Sequence, residues 1–426
     1  MNKINQPKVA IIGSGISGLG FAYIAHHNQW DITLYEKNDY YGGHSNTIDI
    51  EIDGKKIPVD TGFLVHNKLT YPNLIQLFEK LQIEIVDSEM TLSVGLEESD
   101  FEWGGNNLDT LFAKRSNLFN PLFYRFINEI LRFNKSANEY LQWAKDDTNR
   151  TLNDLLNHYK YHKEIKDWYI IPMAAAIWST PANKILEFPA HTFITFSLNH
   201  HLLQVNNRPT WRTIKNGSRN YVRKIIDLIE KKFLNTEVYS VEKIDQQIIV
   251  TTNHGQESFD KVIFANHPDE MIKIIKGQNS QVYHLLSNFL YEKNIAYVHS
   301  DSSFLPKRQK LWSAWNYVHS KLQEKVTVSY LINKLQPLDT DQPVVVTLNP
   351  HRPVDPNKTW RVINYAHPLF DSKTIQAQTK LNTIQGLQDM YFAGAWTGYG
   401  FHEDGLKSAV RVAKILNLEV PWNEVL

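Results

Sequence analysis

The stretch KVAIIGSGISGLGFAYIAHHNQWDITLYEK, Lys8 to Lys37, constrains the fold more than any other part of the chain. Val9–Ile12 is a short apolar run, the pattern of a strand covered on both faces. Gly13, Gly15 and Gly18 follow at G-x-G-x-x-G spacing. The first permits a tight turn, the second lets a pyrophosphate approach the backbone, and the third lets a helix pack on the strand. The N–H groups of the first helical turn lack internal partners, and the helix dipole favours an anion there. A second strand, Ile32–Tyr35, ends at Glu36, eighteen residues past Gly18. An acid at that point can accept hydrogen bonds from both ribose hydroxyls of an adenosine. The glycines alone are a common pattern; strand, turn, helix, strand and acid in this order read as a dinucleotide site.

After Glu36 come the doublet Gly42-Gly43 and His44. A hairpin of Asn46–Ile52 and Lys56–Val59 turns at Asp53-Gly54, and Asp60-Thr61-Gly62-Phe63 follows. A unit that binds only NAD usually continues into another βα crossover here. A hairpin in its place points to FAD. From Tyr71 the pattern is helical, with Leu74, Leu77, Phe78 and Leu81 on one face. Pro121–Trp143 reads as one long amphipathic helix and Leu152–Tyr159 as another. The apolar Trp168–Trp178 belongs in the core or along a substrate cavity. A helix Tyr221–Lys231 precedes three strands, Thr236–Ile244, Gln247–Thr252 and Lys261–Phe264. From Asn294 to Tyr365 apolar and polar residues alternate between turns, including KVTVSYLI from Lys325, and this predicts a mostly antiparallel sheet. The tail repeats the opening device: a strand at Met390, a Gly-rich loop to Gly405 and a helix Leu406–Leu416.

Composition excludes several function classes. Lys plus Arg equals Asp plus Glu, 45 each, so bulk charge does not argue for nucleic acid. No cysteine is present, which removes disulfides, thiolate metal sites and a cysteinyl cofactor link. The His26-His27 and His200-His201 pairs lack ligand spacing, so no metal is expected. No apolar run is long enough to span a membrane and the start shows no secretory pattern, so a cytoplasmic protein is expected. Aromatic residues reach 12%, enough either for a deep apolar ligand cavity or simply for a well-filled core.

At Gly42-Gly43 and Phe392-Ala-Gly394 the chain resembles the flavin-containing amine oxidase superfamily. GGHSNTIDI, PVDTGFLVHN, PMAAAIWS, WRTIKNGSR and GAWTGYGFHEDGLKSA are similar to a bacterial subfamily labelled "predicted NAD/FAD-binding protein". The resemblance implies an α/β fold. Residues 1–65, 211–290 and 385–426 would form a three-segment, Rossmann-like FAD-binding domain. Residues 66–210 and 291–384 would form a substrate domain of antiparallel sheet plus helices. It further implies that Gly13, Ser14, Gly15 and Gly18 hold the pyrophosphate and that Glu36, followed by Lys37, holds the adenosine ribose. Gly42, Gly43 and His44 would run beside the ribityl–pyrophosphate region, with His44 standing where many relatives have Arg. Thr61, Gly62 and Phe63 would approach the isoalloxazine, Val241 the adenine through its backbone, and Gly394 the ribityl chain. Ala395 stands where relatives commonly have an acid. The loop ending Glu403-Asp404 would turn a helix N-terminus toward the flavin.

His402, Trp396, Tyr399 and Phe401 are the candidates to flank the flavin face, and His402 could also relay a proton. Helix capping competes with these roles at Glu403 and is the leading reading at Asp404. The expected activity is hydride transfer from an apolar organic substrate, such as an unsaturated or modified fatty acyl chain, to FAD. Two alternatives stand beside it: a flavin-dependent double-bond isomerase of fatty acids, and a non-catalytic flavoprotein that binds lipid or a partner enzyme. Genes of the subfamily often lie beside those for cyclopropane-fatty-acyl synthase-like enzymes, which implies by association a partner of that kind and allows a peripheral membrane contact.

Overall fold

The computed structural model describes residues 6–97, 100–178, 182–204, 208–277, 280–319 and 327–426. Lys8–Ile12 is the central strand of a five-stranded parallel sheet, ordered Met390–Phe392, Lys261–Phe264, Lys8–Ile12, Asp31–Tyr35, Lys231–Phe233. Three distant parts of the chain therefore meet in one sheet. The apolar run of the first strand serves both faces. Val9 and Ile11 pack with the first helix (Ile16–His27) and the last (His402–Ile415), while Ala10 and Ile12 pack under a separate meander. The meander is the antiparallel sheet Val238–Ile244, Gln247–Thr252 and Gly255–Phe259.

A second layer system carries the other sheet. Its seven strands run Thr359–Pro368, Tyr291–His299, Val345–Leu348, Val328–Leu331, Trp315–His319, Leu92–Leu96, Phe101–Gly104. All pairs are antiparallel except Trp315–His319 with Leu92–Leu96. Helices between 121 and 199 cover it, so the α/β architecture with a mostly antiparallel second sheet is as expected. Lys325 and Val326, read as the start of a strand, lie outside the described residues. Among the described residues no helix is long and apolar enough to cross a membrane.

Two local readings are corrected. The helix expected over Tyr221–Lys231 spans Arg219–Ile226, and Lys231–Phe233 is an edge strand instead. Pairing with Thr33–Tyr35, tied by Lys231 Nζ to Asp31 at 2.8 Å, overrides helical propensity there. The long helix Pro121–Trp143 is two helices, Pro121–Lys135 and Ala137–Lys145, broken at Ser136 with φ −90° and ψ 8°. The break lets Phe133 and Tyr140 meet in the core with ring centroids 5.4 Å apart.

Asp60 joins the parts. Its buried carboxylate accepts from Thr47 Oγ1 (2.5 Å), Ser218 N (2.9 Å), Ser218 Oγ (2.7 Å) and Gln336 Nε2 (3.0 Å). Burial raises its pKa despite those donors. Asp60→Ala would leave several buried donors unpaired, each costing about 1–3 kcal/mol. A loss of about 3 kcal/mol in denaturant unfolding is expected, and an unchanged midpoint would refute this linking role.

Candidate functional site

The site grows from the carboxyl edge of the parallel sheet. Past Ile12 the chain turns through Gly13, whose φ of +100° and closeness to the Ala265 carbonyl (2.9 Å from where a Cβ would sit) demand glycine. Gly18 lies directly on the Gly13 carbonyl and is equally bound to the fold. Gly15 differs. Its φ of −64° and ψ of 178° suit any residue, and no atom lies within 4 Å of where its side chain would begin. The fold itself leaves that space. The first helix opens onto it with no side-chain cap and no acid in its first turn, so its leading N–H groups face that space.

Glu36 sits beside this turn, 5% exposed. Its Oε2 accepts from Ser14 N (3.0 Å) and Ser14 Oγ (2.6 Å), and its Oε1 from Asn38 N (2.9 Å) and Asn38 Nδ2 (2.8 Å). All four acceptor directions are used, so a ribose diol would replace the two side-chain donors and leave the two backbone ones. Lys37 points outward and pairs with Glu270. Gly42 N donates to the Ser14 carbonyl at 3.1 Å, and Gly43 closes over the turn within reach of Gly15 Cα.

His44 follows with its ring stacked on Tyr365 (4.8 Å) and tilted against His367 (5.2 Å). Burial, reinforced by the neighbouring histidines, holds its pKa well below the ordinary value, so it is neutral at neutral pH. Its Nε2 is buried without a partner, as is Asn266 Oδ1 on the strand end beside Gly13. Phe63 N donates to the His44 carbonyl (2.7 Å), and Gly62 packs over that carbonyl. Thr61 Oγ1 lies 2.7 Å from Tyr365 Oη. Val241 lies in the meander, where its carbonyl accepts from Lys276 N (2.9 Å), and Glu36 is paired through its backbone with Phe233 and Thr236.

The last segment completes the ring of residues. Gly394 N donates to Ser408 Oγ (2.8 Å), and the Ala395 carbonyl accepts from Gly398 and Gly400 (3.1 Å each). Trp396 is sunk behind the sheet against Phe289, with ring centroids 4.5 Å apart. Tyr399 and Phe401 face Phe196 at 5.5 and 5.0 Å. Asp404 accepts from Phe401 N (3.0 Å) and caps its own helix, and burial pushes its pKa up to about 6. Glu403 caps a different helix, Pro72–Lys80, by accepting from Asn73 N and Leu74 N (3.0 Å each) and Asn73 Nδ2 (2.7 Å). Its carboxylate is thereby held at that helix and not at the loop it follows.

His402 is the residue of this loop that meets the first segment. Its ring lies on Phe63 with centroids 3.8 Å apart, and its Nε2 is 2.7 Å from Ser45 Oγ. Ser45 Oγ is in turn 2.5 Å from Tyr221 Oη. Burial depresses the His402 pKa to about 3, so the ring is a neutral hydrogen-bonding group. Ser45, Tyr221 and His402 thus link all three chain segments in one buried polar chain. Gly13, Gly15, Gly43, His44, Gly62, Ala265–His267, His367, Ala395 and residues 397–402 are partly exposed. Contacts tie the first of these into a row that runs from Glu36 through Ser14, Gly42–His44 and Gly62 to the Phe63–His402 pair.

Asn38, Ser45, Tyr221, Tyr365 and His367 belong to this site and escape a sequence reading. Only Tyr365 and His367 carried a signal, two aromatic rings two residues apart on one strand face. Among the described residues, no group of three or more His, Asp or Glu is placed to hold a metal.

A family model described as an NAD(P)-binding Rossmann-like domain matches residues 11–81. Solved structures of similar fold cover nearly the whole chain. Cyclohexylamine oxidase from Brevibacterium oxydans is 15% identical over 97% of this chain and 100% of its own, with a TM-score of 0.69. A putrescine oxidase double mutant from a redesign of cofactor binding is 14% identical over 97% and 99%, also at 0.69. A CLA-producing fatty acid isomerase from P. acnes is 11% identical over 96% and 98%, at 0.67.

Proposed function

We propose that this chain, which has the fold of the flavin-containing amine oxidase superfamily, binds FAD and acts as an oxidoreductase on an apolar organic substrate. The fit is supported by the open space at Gly15, the uncapped first helix, and the buried unpaired His44 Nε2 and Asn266 Oδ1 among the same residues. Gly13–Gly15 and the first helical N–H groups would hold the pyrophosphate, and Glu36 the adenosine ribose. His44, Gly62, Phe63 and the loop from Ala395 to His402 would surround the flavin end. When bound, FAD supplies the two-electron chemistry, accepting a hydride from the substrate.

The chain's own residues supply position, dryness and polarity. The last helix begins at His402, beside Phe63, where the partial positive charge of its N-terminus would favour an electron-rich ring. Neutral His402, fixed by Ser45 and stacked on Phe63, offers an uncharged ring at that end. Next to it Tyr399 and Phe401 continue into Phe196 and Trp178, whose rings are 4.6 Å apart, and this aromatic wall suits an acyl or other hydrocarbon chain. The observation that carries the reading is the Ser45–Tyr221–His402 contact, which joins three segments beside Phe63.

A second reading, double-bond isomerisation of a fatty acid, is favoured by the fold shared with the P. acnes isomerase. Anaerobic incubation of the flavin-loaded protein with a bacterial lipid extract separates the two. Lasting bleaching of the visible flavin band is expected for oxidation. A shifted double bond with little bleaching would mean isomerisation, and no change in either would leave only a binding role.

A further inference from the structure

The helical layer over the second sheet carries a surface that includes none of the residues proposed to hold FAD. Leu108, Leu118, Phe119, Tyr124 and Leu131 are 75%, 40%, 89%, 45% and 49% exposed. They are five of the seventeen large apolar or aromatic side chains exposed among the described residues, gathered in a short span. Residues 105–135 also hold five basic side chains, Lys114, Arg115, Arg125, Arg132 and Lys135, against the acids Asp109 and Glu129, in a chain whose charges cancel overall. Glu129 is buried, and its Oε1 is taken by His162 Nδ1 at 2.6 Å.

The neighbouring turn adds Lys307, Arg308 and Lys310. Arg308 bridges to Asp100 (3.3 Å) and Glu102 (2.6 Å), and Lys310 shares Asp109 with Arg115. The acids of this face are therefore bridged, and basic groups remain in excess around the apolar tips. Between those tips lies a groove of about 780 Å³. Leu118, Phe119 and Tyr124 form its lip, and Arg125, Asn128 and Arg132 its polar wall. Arg132 is steadied over the Tyr161 ring at 3.9 Å, and Arg125 by Glu164 at 3.2 Å.

We infer that this face docks on an anionic phospholipid bilayer. Side chains such as Phe119 and Leu108, raised out of the surface, suit insertion among acyl chains, and guanidinium groups just behind them suit phosphodiester headgroups. The basic excess where these apolar side chains collect is the complement of a negative lipid surface. Docking here does not depend on flavin binding, and its failure would leave the cofactor assignment untouched.

The test is flotation of the purified, flavin-loaded protein with vesicles of phosphatidylcholine alone or mixed with phosphatidylglycerol. Binding to the mixed vesicles at low ionic strength is expected, with loss at high salt. The double variant Leu108→Ser/Phe119→Ser should bind the mixed vesicles about tenfold more weakly, at unchanged thermal midpoint and flavin content, because both side chains are exposed. Arg115→Gln/Arg125→Gln should lose the preference for phosphatidylglycerol. Equal flotation of the apolar variant and the parent would overturn the inference. So would absence of binding to mixed vesicles at low salt, or self-association that depends on Phe119 and marks the face as an interface between copies.

Discussion

Gly15→Val is expected to fold with an unchanged thermal midpoint and to bind FAD at least about a hundredfold more weakly. The three glycines of the turn divide by what they meet. A side chain at Gly13 or Gly18 would run into protein backbone, and Gly13 also holds a φ of +100°. Gly15 has an ordinary backbone conformation and open space beyond it. The protein alone therefore has no need of glycine there, whereas a pyrophosphate lying against the helix N-terminus does. Two charge-assisted hydrogen bonds lost at about 1.5–3 kcal/mol each correspond to a change of about a hundredfold or more. Equilibrium titration with FAD, beside a melting curve, reads both halves. In contrast, Gly18→Ala should lower the melting point, because its new carbon would land on the Gly13 carbonyl. Full flavin retention by Gly15→Val would remove the phosphate role.

Acid should unfold the protein well above the pH at which carboxylates protonate. Burial holds His66, His200, His299 and His367 near pKa 4, and His402 near 3. In the unfolded chain each returns to about 6.5. Between those limits the unfolded state binds more protons, so stability is full above about pH 6.5 and falls as pH drops toward 4. Each pKa unit corresponds to about 1.4 kcal/mol, and half of the five-histidine sum already rivals the 5–15 kcal/mol that holds an ordinary protein together. Asp404 works in the opposite sense. Its folded pKa of about 6 lies above its unfolded value, so its contribution is present at low pH and fades as pH rises through 6. Burial raises the Asp60 and Glu403 carboxyls as well, but it also lowers His44, His191 and His267, so the lowered histidines outnumber the raised acids and set the slope. The melting midpoint should fall by about 10 °C or more from pH 7.5 to pH 5, and a flat profile over that range would contradict the neutral, buried state of these histidines.

What could be read from the sequence was what neighbouring residues decide among themselves. The first strand, the glycine turn and the acid at Glu36 are local chemistry, and so is the closing helix, although it spans His402–Ile415 and starts four residues before the expected Leu406, because the Asp404 carboxylate caps it at Phe401 N. What escaped is decided across the chain. Lys231–Phe233 is a strand only because Asp31–Tyr35 offers an edge. Leu92–Leu96 and Phe101–Gly104 join a sheet whose other strands lie some two hundred residues later. Glu403 shows the same limit within the site. An acid in a first helical turn reads as serving its own helix, yet it caps one whose first turn is 330 residues earlier. Ser45 lies within GGHSNTIDI and Tyr221 near the start of a helix, but nothing local pairs either with His402, and only the folded chain brings them together.

The most direct measurement of the central claim is the cofactor itself: purify the protein with FAD supplied, strip excess ligand, denature it and quantify released flavin by chromatography and mass. The account predicts yellow protein that yields one FAD per chain. Colourless protein that releases no adenine dinucleotide, despite a normal melting curve, would contradict it.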